Sequence, residues 1–157
     1  MVVVLAALIV LLVTARLRYS GSAPVKLPAA DCSADLWKHV YLPERLRMLE
    51  ACTAVAGRVV LVRRESDGDL HIALDPDRKS VLNLVNAIHA QGHLVVEVVC
   101  EHAPPNGDAT VACAGFAPEV ANPKVGDRVR VTGAYVTDRD NGWNEIHPVT
   151  RIERLGP

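Results

Sequence analysis

Between Thr53 and Glu153 the chain is cut by turn residues into short, Val-rich segments, and segments of that length build a small sheet rather than a helical bundle. Thr53 to Arg64 reads as a long strand carrying Gly57. Glu65-Ser66-Asp67-Gly68-Asp69 then supplies a turn and Leu70 to Leu74 a second strand, so the two form a hairpin. Pro76 to Gln91 places Val81, Leu82, Leu84, Val85 and Ile88 at helical spacing, and Gly92 stands where a helix end takes a left-handed residue. His93 to Cys100 alternates as a central strand with Glu97 turned outward. Glu101 to Lys124, rich in proline, reads as a long loop. Asp127 to Val136 is a fourth strand, Thr137 to Gly142 a polar turn and Trp143 to Ile152 a fifth strand. The expected class is mainly β, with five strands and one or two helices.

What precedes these strands bounds the domain. Val2 to Val13 is an unbroken apolar run, the length of a signal-peptide core and short of the ~20 residues that span a bilayer. Residues 1–18 therefore read as a signal peptide or, since Arg16 and Arg18 follow the run, as an uncleaved membrane anchor. Residues 19–31 have the Gly, Ser, Pro and Ala content of a flexible tether. Residues 32–157 remain as one domain of ordinary size, and Asp35 to Glu50, interrupted by Pro43, reads as a helical cap on its end. The expected location is extracytoplasmic, secreted or anchored to the cell membrane. Four cysteines behind an export signal imply two disulfides, and Cys32 with Cys52 and Cys100 with Cys113 is the favoured pairing of three. Loops of that size are worth on the order of 3 kcal/mol per bridge in the chain-entropy model. No C-x-x-C or C-x-x-H spacing points to zinc instead.

Pro123-Lys124-Val125-Gly126-Asp127-Arg128-Val129-Arg130-Val131-Thr132-Gly133 leads into the fourth strand with a Gly-Asp turn. Its alternation points Val129 and Val131 inward and Arg128 and Arg130 outward. With five strands, one helix and a glycine in the long first strand, this pattern resembles the oligonucleotide/oligosaccharide-binding (OB) fold, which implies a small five-stranded barrel over Thr53 to Glu153. The family usually sets its helix between strands three and four, whereas the helical spacing here precedes strand three. Asp67-Gly68-Asp69-Leu70-His71 and Gly142-Trp143-Asn144-Glu145-Ile146-His147-Pro148-Val149 look like pieces of extracytoplasmic bacterial OB-like domains to which no activity attaches.

Charge narrows the function. Lys plus Arg number 17 against 18 Asp plus Glu, so no global positive field holds a polyanion, and generic nucleic-acid binding is disfavoured. Arg58, Arg63, Arg64, Arg128 and Arg130 form a stripe on the strands whose ordinary explanation is a solvated, salt-bridged face. Asp69 and His71 lie two apart on one strand, as do Glu145 and His147, so each pair projects from one sheet face. If they converge, with Asp67 and Asp138 nearby, they suit a divalent cation or acid–base chemistry; the blander expectation is turn formation and structural hydrogen bonds. Trp143, beside the Asp140-Asn141-Gly142 turn, either stacks on a ligand or caps the core. These residues are the candidate ligand-binding set: Asp67, Asp69, His71, Trp143, Glu145 and His147. No catalytic residue and no cofactor beyond a divalent cation is indicated.

The leading expectation is a monomeric, non-enzymatic binding module for a polar ligand or an envelope protein, touching the membrane only through an uncleaved N-terminal segment. The alternative is a metal-dependent hydrolase or nuclease using the Asp67/Asp69/His71 and Glu145/His147 cluster. Its acidic first turn resembles the thermonuclease variant of the OB barrel, although that variant's arginine-bearing motifs are not evident here.

Overall fold

The computed structural model describes residues 25–26 and 31–156. Its strands are β1 (Val25–Lys26), β2 (Leu46–Arg64), β3 (Leu70–Pro76), β4 (Leu94–Val98), β5 (Arg128–Asp138) and β6 (Asn144–Arg154). Two short α-helices, α1 (Leu84–His89) and α2 (Thr110–Cys113), lie in the connections. Strands β2, β3, β4, β6 and β5 follow one another around a sheet that closes in a ring when β5 pairs back onto β2. Every pairing in that ring is antiparallel except β4 with β6.

Strand β2 makes closure possible by changing partners along its length. Its first part pairs with β5 from Leu46 to Arg58 and its last part with β3 from Gly57 to Arg64, so the exchange falls at Gly57. A Cβ there would stand 2.4 Å from the Asp75 carbonyl oxygen, a distance no side chain tolerates. Glycine lets β2 and β3 touch where the sheet turns its corner.

Alternation then sorts the side chains into two layers. Inside the ring lie Val55, Val59, Ile72, Leu74, Leu94, Val96, Val129, Val131, Ile146 and Val149, all buried. Arg128 and Arg130, the alternate residues beside Val129 and Val131, are exposed as expected. A second apolar cluster sits on the outer face, where Val40, Leu46, Val99, Ala134 and Val136 meet Leu36, Trp37, Cys113 and Phe116. This cluster joins the segment before β2 to the loop after β4. His39 stacks on Phe116 at 3.8 Å and its Nδ1 lies 2.8 Å from the Ala112 carbonyl oxygen, so the two pieces form one roof.

Cys32 is bonded to Cys52 and Cys100 to Cys113, the expected pairs, and no described cysteine is free. Both bridges anchor the roof, one to β2 and one to the end of β4, and both suit an oxidising compartment. Among the described residues no helix is long and apolar enough to cross a membrane. Residues 1–18, read as a signal peptide or membrane anchor, lie outside the described residues.

Within the stretch read as a tether, Val25 and Lys26 pair with Ala54 and Thr53 as a short edge strand, and 19–24 and 27–30 lie outside the described residues. Four expectations need correction. The helical cap is two 3₁₀ turns, Ala34–His39 and Pro43–Arg45, and β2 starts at Leu46 instead of Thr53, because Leu46, Arg47 and Met48 pair with Asp138, Thr137 and Val136. Helical spacing there loses to long-range pairing with an overhanging β5. The helix expected over Pro76 to Gln91 contracts to a 3₁₀ turn at Lys79–Val81 and to α1. Val81 is buried in the core, but Leu84 and Ile88, also read as the core face, are 73% and 62% exposed, and the buried residue of α1 is Asn86. Asn86 bonds the backbone of His93, Asn144 and Asn83, and with Asn83 closes a capping box. The loop between β4 and β5 is partly helical, carrying a 3₁₀ turn at Gly107–Ala109 that runs into α2. Glu97, expected to face solvent, is buried to 9% exposure beneath the roof.

Candidate functional site

The outer face of β3, β4 and β6 places ionisable side chains in a row. Register puts His71 beside Glu97 across β3 and β4, and pairs Val95 with Glu145 across β4 and β6. Glu145 and His147, two apart on β6, then project to the same side as Glu97. The Asp69/His71 and Glu145/His147 pairs therefore converge, and they enclose Glu97.

Geometry links the row into two carboxylate–imidazole contacts. His71 Nδ1 lies 2.8 Å from Glu97 Oε1, and His147 Nδ1 lies 3.1 Å from Glu145 Oε1. Glu145 Oε2 accepts the Trp143 Nε1–H at 2.8 Å. On its other side His147 Nε2 stands 3.6 Å from Asp69 Oδ2, beyond hydrogen-bond range. Asp69 Oδ1 accepts the Cys100 N–H at 2.9 Å, which ties the layer to the disulfide loop. His147 and Glu145 are 0% and 1% exposed. Three buried atoms of the layer have no partner: Asp69 Oδ2, Glu97 Oε2 and His147 Nε2.

Asp67 belongs to the hairpin turn, where its Oδ1 accepts the Asp69 N–H at 3.2 Å, the turn-forming role of an Asx residue. Trp143 belongs to neither apolar cluster; it lines a cavity of about 340 Å³ on the outer face. The β2–β3 turn contributes Glu65, Ser66 and Asp67 to this cavity, the roof Tyr41, Leu42 and Arg45, and the β5–β6 turn Asp138, Asp140 and Asn141. His71, Glu97 and Glu145 form its floor. Of the expected site residues, Asp67, His71, Trp143 and Glu145 line the cavity, while Asp69 and His147 lie in the layer behind them.

Glu97 and Arg45 were not among the expected residues. The signal for Glu97 was present: Leu94 to Cys100 is apolar at every position but one, the mark of a strand covered on both faces, so its lone Glu had to be buried. Arg45 carries no such signal. It pairs with Asp138, whose oxygens also accept the Asp140 and Asn141 N–H groups, and so it fastens the roof to the β5–β6 turn.

Burial sets the electrostatics. It pushes Asp69 up to about 7 against the pull of His147, and it raises Glu97 despite the hydrogen bond from His71. For His71 and His147 burial acts the other way, but Glu97 on the first and Glu145 with Asp69 on the second outweigh it, and both imidazoles are raised above 6.5. All four groups hold protons more tightly in the folded chain. A raised group contributes stability that is fully present below its unfolded value, 3.8 for Asp69 and 6.5 for the histidines, and lost as pH rises through its folded value. Asp138 has the opposite sign: burial would raise it, but Asn141 and Arg45 bring it below 3.8, so its contribution is lost only in stronger acid. The thermal midpoint is therefore expected to fall steadily from about pH 5 to about pH 8, and Asp69→Asn to flatten that slope. A midpoint that climbs across this window contradicts the assignment.

Among the described residues no group of three His, Cys, Asp or Glu side chains is placed to hold a metal ion. The arginine stripe is committed to ion pairs: Arg63 with Glu65, Arg64 with Glu101, Arg128 with Asp77 and Arg130 with Glu153. Arg58 donates to the Gly126 carbonyl oxygen. The sequence matches no family model and no curated protein.

Proposed function

We propose that the chain is an extracytoplasmic binding module of the OB type that takes a polar ligand, a small molecule or a segment of an envelope protein, in the outer-face cavity. The observation that carries this reading is the cavity itself. Two turns and the roof converge on a floor of buried ionisable groups, with Trp143 in the wall, and disulfide-stapled segments hold the arrangement in place. Such a preformed polar concavity binds without first ordering its own side chains. The five-stranded ring supports the OB assignment, as does the position of α2. It lies between the third and fourth strands of the ring, where that family sets its helix.

A metal-dependent hydrolase built on Asp67, Asp69, His71, Glu145 and His147 has less support, because His71 is engaged by Glu97 and His147 by Glu145, and the five form no metal cage among the described residues. The test is thermal unfolding of the oxidised full chain with a panel of charged and neutral polar small molecules, with envelope-derived peptides, and with chelator and divalent cations. A ligand at about 100 times its Kd adds about 2.7 kcal/mol to the native state, a rise of several degrees. The binding reading expects that rise from a polar ligand or peptide, its loss in Trp143→Ala, and no change with chelator. A response to divalent cations alone would replace binding with the metal reading.

A further inference from the structure

We propose that the outward face made by the start of β5, the end of β6 and Arg58 of β2 docks on an anionic lipid bilayer. Register builds this face. Arg58 stands directly opposite Arg128 across β2 and β5, and Arg130 and Thr132 stand opposite Glu153 and Arg151 across β5 and β6, so these side chains share the outer side. Arg154 and Lys124 lie at its margin, Arg154 bonded to Asp127 and to the Asn122 carbonyl oxygen. These six cations meet three carboxylates, Asp77, Asp127 and Glu153, while neighbouring Lys79 and Asp75 pair with each other and leave the balance unchanged. Of the chain's 17 Lys plus Arg, three precede residue 31 and seven lie here, which leaves the rest of the domain seven against fourteen of its 18 carboxylates. Ion pairs do not cancel the local excess. Glu153 is shared by Arg130 and Arg151 at 3.7 and 3.8 Å, beyond hydrogen-bond range, and exposed pairs are weak. Arg58 opposite Arg128 is a like-charge pair, which costs stability that an anion lying over it restores.

The path of the chain selects a bilayer from among anions. β1 runs antiparallel to β2 with Val25 paired to Ala54, so the N-terminal end of β1 is the end nearer Arg58, and Ala56, two residues further along β2, stands opposite Arg130. Residues 19–24 join this end to the apolar segment read as a signal peptide or membrane anchor, and the chain from Arg18 to Val25 reaches at most about 25 Å. A retained anchor therefore brings the basic face, and not the acidic remainder, to the lipid headgroups. Val125 supports the same partner: it is 65% exposed in the turn whose Gly126 carbonyl oxygen accepts Arg58 Nη1–H at 2.8 Å, and an apolar side chain beside Lys124 suits the headgroup boundary. The carboxylates of Asp138 and Asp140 do not oppose docking. They lie at the other end of β5, about 30 Å along the strand from Arg128, against a Debye length of about 8 Å.

The test uses the oxidised full chain on vesicles of phosphatidylcholine alone and of phosphatidylcholine mixed with phosphatidylglycerol, and reads acetylation of Lys124 relative to Lys38 by mass spectrometry. Lys38, whose side chain is 74% exposed, lies in the acidic remainder and serves as the reference. With phosphatidylglycerol, Lys124 is expected to react at least about fivefold more slowly, the effect of one cation at an anionic surface. Its rate should recover at about 1 M salt, where the Debye length is about 3 Å. Arg130→Gln combined with Arg151→Gln, both at exposed positions, should remove most of the protection with native circular dichroism. Arg47→Gln, paired with Thr137 at the other end of β5, should leave it intact. Equal Lys124 rates on the two lipids overturn the proposal, as do protection that the double variant retains and a chain that floats with neither vesicle. Protection by heparin in solution but not by phosphatidylglycerol overturns it in favour of a soluble polyanion. The outer-face cavity takes no part in this readout, so each outcome leaves the binding function proposed above where it stands.

Discussion

Replacing Glu145 with alanine is expected to lower the free energy of unfolding by about 3 kcal/mol or more, read from urea denaturation with an unchanged m value. Glu145 holds two donors, the Trp143 indole N–H and His147 Nδ1, in a position 1% exposed. Removing it strands an imidazole that no water reaches, whose nearest remaining carboxylate, Asp69, stands 3.6 Å away. Breaking one half of a buried pair costs more than the pair contributes, because the other half keeps its desolvation penalty. Glu145→Gln keeps an acceptor for one of the donors and is expected to cost less than half as much. Equal losses in the two variants would mean that side-chain volume, not the hydrogen-bonded charge, is what the site needs.

Gly133→Val is the second large effect, about 3 kcal/mol at the upper end of overpacking costs. A Cβ at Gly133 would lie 2.5 Å from the Pro148 carbonyl oxygen and 2.6 Å from Ile146 Cγ2. Two of the three nearest atoms are backbone, which cannot rotate aside, and the β5–β6 register is already irregular at this position. Gly107→Ala is the control: nothing stands within 4 Å of its Cβ, so its free energy of unfolding should match the parent's within about 0.5 kcal/mol. A tolerated Gly133→Val would show that the ring opens more easily at β5 than its pairing implies.

How much of this was legible in the sequence depends on whether local or distant contacts decide each residue. Val129 and Val131 alternate with arginines, and the strand they predict is there with the faces assigned correctly. The disulfide pairs were the favoured of three possible pairings, since each brackets an irregular or helical stretch close to a strand, and they are the pairs formed. Pairing partners far along the chain overrode local pattern elsewhere. Leu46 to Glu50 has helical spacing yet pairs with β5, and the apolar residues of 76–91 surround a buried Asn86 whose partners, in β6 and before β4, no local periodicity reveals.

The site divides in the same way. Two-residue spacing put Asp69 with His71 and Glu145 with His147, and strand order then brought the pairs together. Glu97 was missed because one face of β4 was taken as solvated, when the roof from 32–45 and 99–116 covers it. Asp67 turned out to be a turn former with one side on the cavity. Trp143 is held in place by a carboxylate of the layer rather than by the core.

The site depends on Asp69, His71, Glu97, Glu145 and His147 sharing one dry layer beneath the roof, and the ¹³C chemical shift of the Asp69 carboxyl, followed through a pH titration of the oxidised protein, reports that most directly. A midpoint at about 7, carried there by burial beside His147, is the expected result. A midpoint near the ordinary 3.8 would mean that water reaches Asp69, that the layer is open, and that the floor assigned to the cavity does not exist.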